Sequence, residues 1–196
     1  RYFPSSSALR PSSGNKFSEK PCIHSLKTIG SIGTIAQTEK SDCDYWVSVS
    51  FDELGSKGLS QLERKCKLIE KWAKDHGHEV YFFPMDITQT RENSFQSRTD
   101  EESAGSAIKL LLKDELFRTH ILVAGKMPLW WLIPPGLSDK EYKAFLDQLK
   151  EKSKLNFDNF IDLGYISNLP KSEIFGACLW QMNKALDSPF KSVIKF

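Results

Sequence analysis

No stretch of this 196-residue chain approaches the ~18 to 20 consecutive apolar residues that a membrane-spanning helix requires. Its start, RYFPSSSALRPSSGNKF, lacks the apolar centre of a secretory signal, so neither export nor membrane insertion is indicated. A charge excess is missing too: 27 basic and 25 acidic residues leave a net charge of +2. No polybasic face for a nucleic acid follows from that balance, although a small positive pocket is compatible with it. Cysteine is scarce, and Cys22, Cys43, Cys66 and Cys178 lie far apart without C-x-x-C or Cys/His ligand spacing. That pattern argues against a zinc site and a dense disulfide framework, and it fits a reducing, cytoplasmic setting. His24, His76, His78 and His120 show no ligand spacing either. What remains is 40% hydrophobic and 27% charged, the composition of an ordinary globular protein with one good core or two small ones.

Residues 1–22, rich in Ser, Pro and basic side chains, read as a flexible lead-in. CIHSLKTIG then has a strand pattern that ends at Gly30-Ser31, GTIAQTEK suits a short helical turn, and DYWVSVSF alternates with the period of a strand. A helix follows, with Ser60 and Glu63 as a capping box, an apolar stripe of Leu62, Cys66, Ile69, Trp72 and Ala73, and Gly77 as its stop. HEVYFFPMD is the next strand. GSAIKLLLKDELFRTHILVAG reads as a helix and MPLWWLIPPG as a buried strand closed by Pro134 and Pro135. Two helices complete the pattern, SDKEYKAFLDQLKEKSK with an S-x-x-E start at Ser138 and PKSEIFGACLWQMNKAL. The order predicts an α+β core over residues 23–137 and a helical segment over 138–196, whose uncapped last run suggests that the natural chain continues.

The chemistry concentrates in IGSIGTIAQTEKSDCDYW. An acid-x-acid pair is uninformative alone, since 25 acids in 196 residues yield about three by chance, and three occur: Asp42/Asp44, Asp100/Glu102 and Asp139/Glu141. Only the first opens a strand, where side chains two apart share a face and both carboxylates can converge on a hard cation. Asp139/Glu141 suits the first turn of a helix, where acids complement the dipole. Asp100/Glu102 lies in a polar, Ser-rich loop. Ten residues separate Asp42 from a Gly30-Ser31 pair that stands behind an apolar Ile29, a combination expected by chance about once in a hundred such chains. Gly30 lets the backbone approach an anion, Ser31 supplies a hydroxyl and an N–H, and a turn through Gly33 and Thr34 aims further N–H groups at phosphate.

These residues resemble the signature of the nucleotidyltransferase superfamily related to DNA polymerase beta. Over residues 23–196 the chain resembles, more narrowly, the class I (enterobacterial-type) adenylate cyclases, in GSIGTIAQTEKSDCDYWV, LERKCKLIEKWA, EVYFFPMD, LLLKDELFRTHILVAGK, WWLIPPG and IDLGYISNLPKSEIFGACLWQMNKALDSPFKSVIK. The resemblance implies a nucleotidyltransferase-like mixed sheet with flanking helices. It also implies ATP as substrate, cyclised to 3',5'-cyclic AMP and pyrophosphate with two Mg2+ ions at Asp42, Asp44 and a third carboxylate. Glu79, leading EVYFFP, resembles the acid that opens the corresponding strand of the superfamily; Asp86 is the alternative, of opposite strand parity, so a regular strand turns only one of them toward Asp42 and Asp44. Lys126, Arg118 and Lys109 are the cations considered for the triphosphate. Trp130 and Trp131 offer ring faces to adenine, but their apolar run reads as core. Two other functions fit the same motif: transfer of a nucleotide to a separate acceptor, and nucleotide binding without turnover. Regulation in this family is associated with a C-terminal region beyond these residues.

Overall fold

The computed structural model describes residues 21–35, 37–39, 41–94, 113–166, 171–186, 189 and 192–193. Residues 1–20 of the expected lead-in, the Asp100/Glu102 loop and Lys109 lie outside them. β1 (Ile23–Ile29) and β2 (Cys43–Val49) pair antiparallel, with Ile29 opposite Asp44, Lys27 opposite Trp46 and Ser25 opposite Ser48. A parallel neighbour demands a crossover, and α1 (Phe51–Asp75) supplies it, returning the chain to β3 (Val80–Asp86) alongside β2. After α2 (Ile87–Glu92), the described part of α3 (residues 113–119) leads into β4 (Ile121–Gly125), antiparallel to β1. The mixed sheet therefore runs β3-β2-β1-β4. Beyond it, β5 (Met127–Pro128) pairs with β6 (Phe160–Ile161), and α4 (Asp139–Lys152) and α5 (Lys171–Ala185) form the helical segment. The α+β architecture is the expected one.

Several boundaries differ from the sequence reading, each for a local reason. α1 begins at Phe51, not near Ser60, because the Ser50 hydroxyl accepts from Glu53 N at 3.3 Å while Asp52 and Glu53 sit at the positive end of the dipole. Gly55, with non-helical φ 61° and ψ 175°, kinks this first stretch, and its glycines had masked it. Leu59, Cys66 and Ala73 form the buried stripe of α1, whereas Ile69 and Trp72 stay exposed. The described part of GTIAQTEK is turns, not helix. The end of the third predicted helix is instead β4, and Leu129–Leu132 make a 3-10 turn where a strand was expected. The capping box at Ser138 and Glu141 is present as expected.

The core lies on the sheet face that carries Ile29 and Trp46, where Met85, Leu116, Ile161 and Leu163 join them and Phe83, Phe117 and Trp130 pack alongside. Two lysines are buried with it. Lys27 Nζ donates to Ser25 Oγ, which donates to Ser48 Oγ at 3.0 Å. Lys113 Nζ donates to Thr90 O at 2.5 Å and Asn93 Oδ1 at 2.6 Å, closing the C-terminal end of α2. Burial lowers both from the usual 10.5, Lys27 to about 8 and Lys113 to about 7. Above pH 7 the unfolded chain thus binds more protons than the folded one, so stability rises with pH in that window. From pH 7 to 9 the stability read from urea unfolding is expected to climb, by up to ~1.4 kcal/mol per pH unit for each lysine, and Lys27→Met is expected to cut the slope above pH 8 by about half, the rest being that of Lys113. A profile that falls between pH 7 and 9 contradicts this account.

Candidate functional site

Gly30 closes β1 with φ +87°, a conformation that a side chain resists. A Cβ placed there would lie 3.4 Å from Asp44 Oδ2, so the glycine backbone runs directly beside that carboxylate. Ser31 is buried, and its hydroxyl donates to Ser41 Oγ at 3.0 Å, tying the start of the loop to the residue before Asp42. Ser41 Oγ in turn accepts from Thr38 N at 2.9 Å. The Thr34 amide and hydroxyl both donate to Ser31 O, at 3.0 and 2.8 Å, and Gly33 N donates to Gln37 Oε1 at 2.7 Å. The expected phosphate cradle is therefore a loop shaped by its own hydrogen bonds and folded against the acid pair.

Strand parity puts Asp42 and Asp44 on the face of Trp46, and Cys43 on the other, where burial first and the two aspartates next push its thiol up. The third acid can be placed from register. Cys43 pairs with Val80 and its N–H donates to Glu79 O at 2.8 Å, which sets Glu79 beside Asp42 and on the same face. Asp86 pairs with Val49, on the opposite face and five positions (~17 Å) beyond Tyr81, the partner of Asp44. It caps α2 instead, accepting from Phe51 N and Gln89 N, each at 2.8 Å. Among the described residues no three His, Cys, Asp or Glu side chains stand close enough together to hold a metal ion. Asp42, Asp44 and Glu79 are thus aligned by register without being gathered. The roles separate experimentally: Asp86→Ala is expected to cost ~2 kcal/mol in urea unfolding through its two lost amide partners, and Glu79→Gln less than ~0.5 kcal/mol.

Lys126 is not brought to this end of the sheet. Lys126 N donates to His24 O at 2.8 Å, and the preceding Gly125 pairs with Ser25, four positions (~13 Å) from Ile29 along β1. Lys126 lines a groove there with Pro21, Ile23, His24, Met127 and Asp158. Arg118, on the outer side of α3, pairs with Asp114 at 2.8 Å.

A cluster that the sequence reading assigned to plain core does reach the acids' end. His120 immediately precedes Ile121, the partner of Thr28, and so sits beside Ile29, which Asp44 flanks from β2. Its Nδ1 donates to Leu116 O at 2.7 Å, leaving Nε2 as an acceptor, and burial pushes its pKa down. Trp130 stacks on Phe117 at 4.0 Å and meets His120 edge-on at 5.2 Å, while Trp131 stacks on His120 at 5.2 Å and remains 54% exposed. His120 Nε2 and the Trp46 and Trp130 indole N–H groups are buried without a hydrogen-bond partner among the described residues. In the sequence, Trp130 and Trp131 offer faces to adenine but read as core, and His120 has no ligand spacing; only the β1–β4 register brings His120 beside Ile29.

Comparison with known proteins places the chain in a family. A family model described as the adenylate cyclase NT domain matches residues 4–131, and one described as adenylate cyclase, class-I, second domain, matches residues 169–196. A protein of Pasteurella multocida (strain Pm70) named adenylate cyclase is 39% identical over 173 residues, 88% of this chain and 20% of its own length. Adenylate cyclases of Yersinia pestis (38% over 187 residues, 95% of this chain and 21% of that protein) and Escherichia coli strain K12 (38% over 173 residues, 88% and 20%) are similar to it as well. The chain spans about a fifth of the length of these relatives. No solved structure matches it.

Proposed function

This chain belongs to the class-I adenylate cyclase family, and from that premise we propose that residues 23–137 are the nucleotidyltransferase-like core that converts ATP to 3',5'-cyclic AMP and pyrophosphate. The observation that carries the reading is the Gly30 backbone lying against the Asp44 carboxylate, which supports a site where a phosphate would approach the acid. Asp42 and Asp44 offer the hard oxygen donors that magnesium prefers, and Glu79, next in register, would complete the set. Magnesium bound there would supply positive charge to the α-phosphate and acidify the ribose 3'-hydroxyl.

The chain's own part is positional. Gly30 admits the phosphates without a side chain in the way, and the Ser31–Ser41 bond holds the loop to the start of β2. In the reaction the 3'-oxygen bonds to the α-phosphorus, the bond from that phosphorus to the bridging oxygen breaks, and pyrophosphate leaves. Glu79, exposed beside Asp42, is the residue to take the 3'-hydroxyl proton. Four free thiols support a reducing, cytoplasmic setting. No helix among the described residues is long and apolar enough to cross a membrane.

Incubation with ATP and magnesium, followed by chromatography of the products, tests the reading. Cyclic AMP and pyrophosphate in equal amounts, with no added acceptor, are expected. Turnover that appears only when a hydroxyl acceptor is supplied would instead indicate nucleotidyl transfer.

A further inference from the structure

We propose that His120, Trp130 and Trp131 form the base subsite of this centre and select a 6-aminopurine. The proposal rests on the nucleotide reading above and adds to it the residues that read the base. Its first support is position. His120 lies on the core face of the sheet, one strand beyond Ile29, so it stands two strand spacings, ~10 Å, from Asp44. A nucleoside whose α-phosphate rests at Gly30 and Asp44 spans that interval.

The second support is chemical. Buried polar atoms are nearly always paired, yet among the described residues this cluster holds an acceptor, His120 Nε2, and a donor, the Trp130 indole N–H, without partners, on rings in edge contact at 5.2 Å. The Nδ1 bond to Leu116 O fixes which imidazole nitrogen accepts. Adenine presents the complement along one edge, an exocyclic N–H donor next to the N1 acceptor. Guanine presents the reverse, and its O6 would face the His120 lone pair.

The third support is access. Trp131, stacked on His120 and 54% exposed, is the ring of the cluster that reaches furthest into solvent. In the proposed subsite it turns outward about its own side-chain bonds to admit the base and offers it an indole face. Stacking of a base on an aromatic ring accounts for an affinity change of about tenfold or more.

The test is binding to the whole chain in magnesium buffer, by calorimetry, with three probes: ATP, GTP and inorganic tripolyphosphate. Wild type is expected to prefer ATP to GTP. Trp131→Ala should weaken ATP about tenfold while leaving tripolyphosphate within twofold, and Trp131→Phe, which keeps a ring, should recover most of the loss. His120→Ala should bring the ATP and GTP affinities together. Circular dichroism melts of each variant separate these effects from misfolding. If ATP and tripolyphosphate bind wild type but the variants weaken both equally, or neither, the base subsite is wrong and the phosphate site stands. If wild type binds neither probe, the nucleotide reading fails and the subsite with it.

Discussion

Asp42→Asn and Asp44→Asn are each expected to lower cyclic AMP formation by about 10^3-fold or more, with a thermal midpoint within about 2 °C of wild type. The asymmetry follows from the geometry. The two carboxylates share one face at the open end of β2, and Asp44 lies against the Gly30 backbone instead of inside the apolar cluster around Trp46. An isosteric amide keeps the shape of either side chain and so leaves the packing unchanged. The reaction has the opposite requirement, because an amide binds a hard cation far more weakly than a carboxylate does. Parallel assays of turnover and melting decide the matter. A loss of stability of many degrees would mean that the pair holds the fold together, and full turnover by both variants would remove them from the chemistry.

Gly30 provides a graded companion to that result. Its φ of +87° makes any side chain strained, and the added Cβ, 3.4 Å from Asp44 Oδ2, would occupy the approach that a phosphate needs. Gly30→Ala is therefore expected to cost ~1 kcal/mol of stability but a larger share of activity.

The legible part of this protein was the part written in short-range periodicity. β1, β2 and β3 follow from alternation, α4 from its capping box, and Gly30, Asp42 and Asp44 from spacing that composition seldom supplies. Strand parity also ruled that Glu79 and Asp86 could not both face the acids; register across β2 and β3 was needed to see which one does, and that information lies between segments. The same holds for the failures. Ile121–Gly125 is apolar enough to extend a helix, and only pairing with β1 makes it a strand. Lys126, one of the three cations considered for the triphosphate, is carried by antiparallel pairing to the far end of β1. His120 illustrates the converse, an unremarkable residue in sequence that the β1–β4 register delivers to the side of Ile29.

The largest effect on folding is expected at Gly164→Ala, a loss of ~3 kcal/mol or more. Gly164 follows β6 with φ +67°, and a Cβ there would collide with the carbonyl oxygen of Arg91 and sit 3.0 Å from both Arg91 Cα and its carbonyl carbon. Those are backbone atoms, which cannot swing aside as a side chain would. The position matters because Asp162, two residues earlier, links three parts of the molecule. Its Oδ1 accepts from the Tyr142 hydroxyl on α4 at 2.6 Å and from Gly164 N at 2.8 Å, and its Oδ2 meets Arg91 Nε on α2 at 3.3 Å. Displacing the chain at Gly164 therefore loosens the contact between the helical segment and the strand-bearing core. Gly77→Ala isolates the steric part. It shares the strained backbone, at φ +80°, but nothing lies within 4 Å of its added Cβ, so it should cost only ~1 kcal/mol. Urea unfolding of the two variants gives the comparison directly: equal losses would mean that backbone strain alone sets the cost and that the close approach of Gly164 to Arg91 has no energetic consequence.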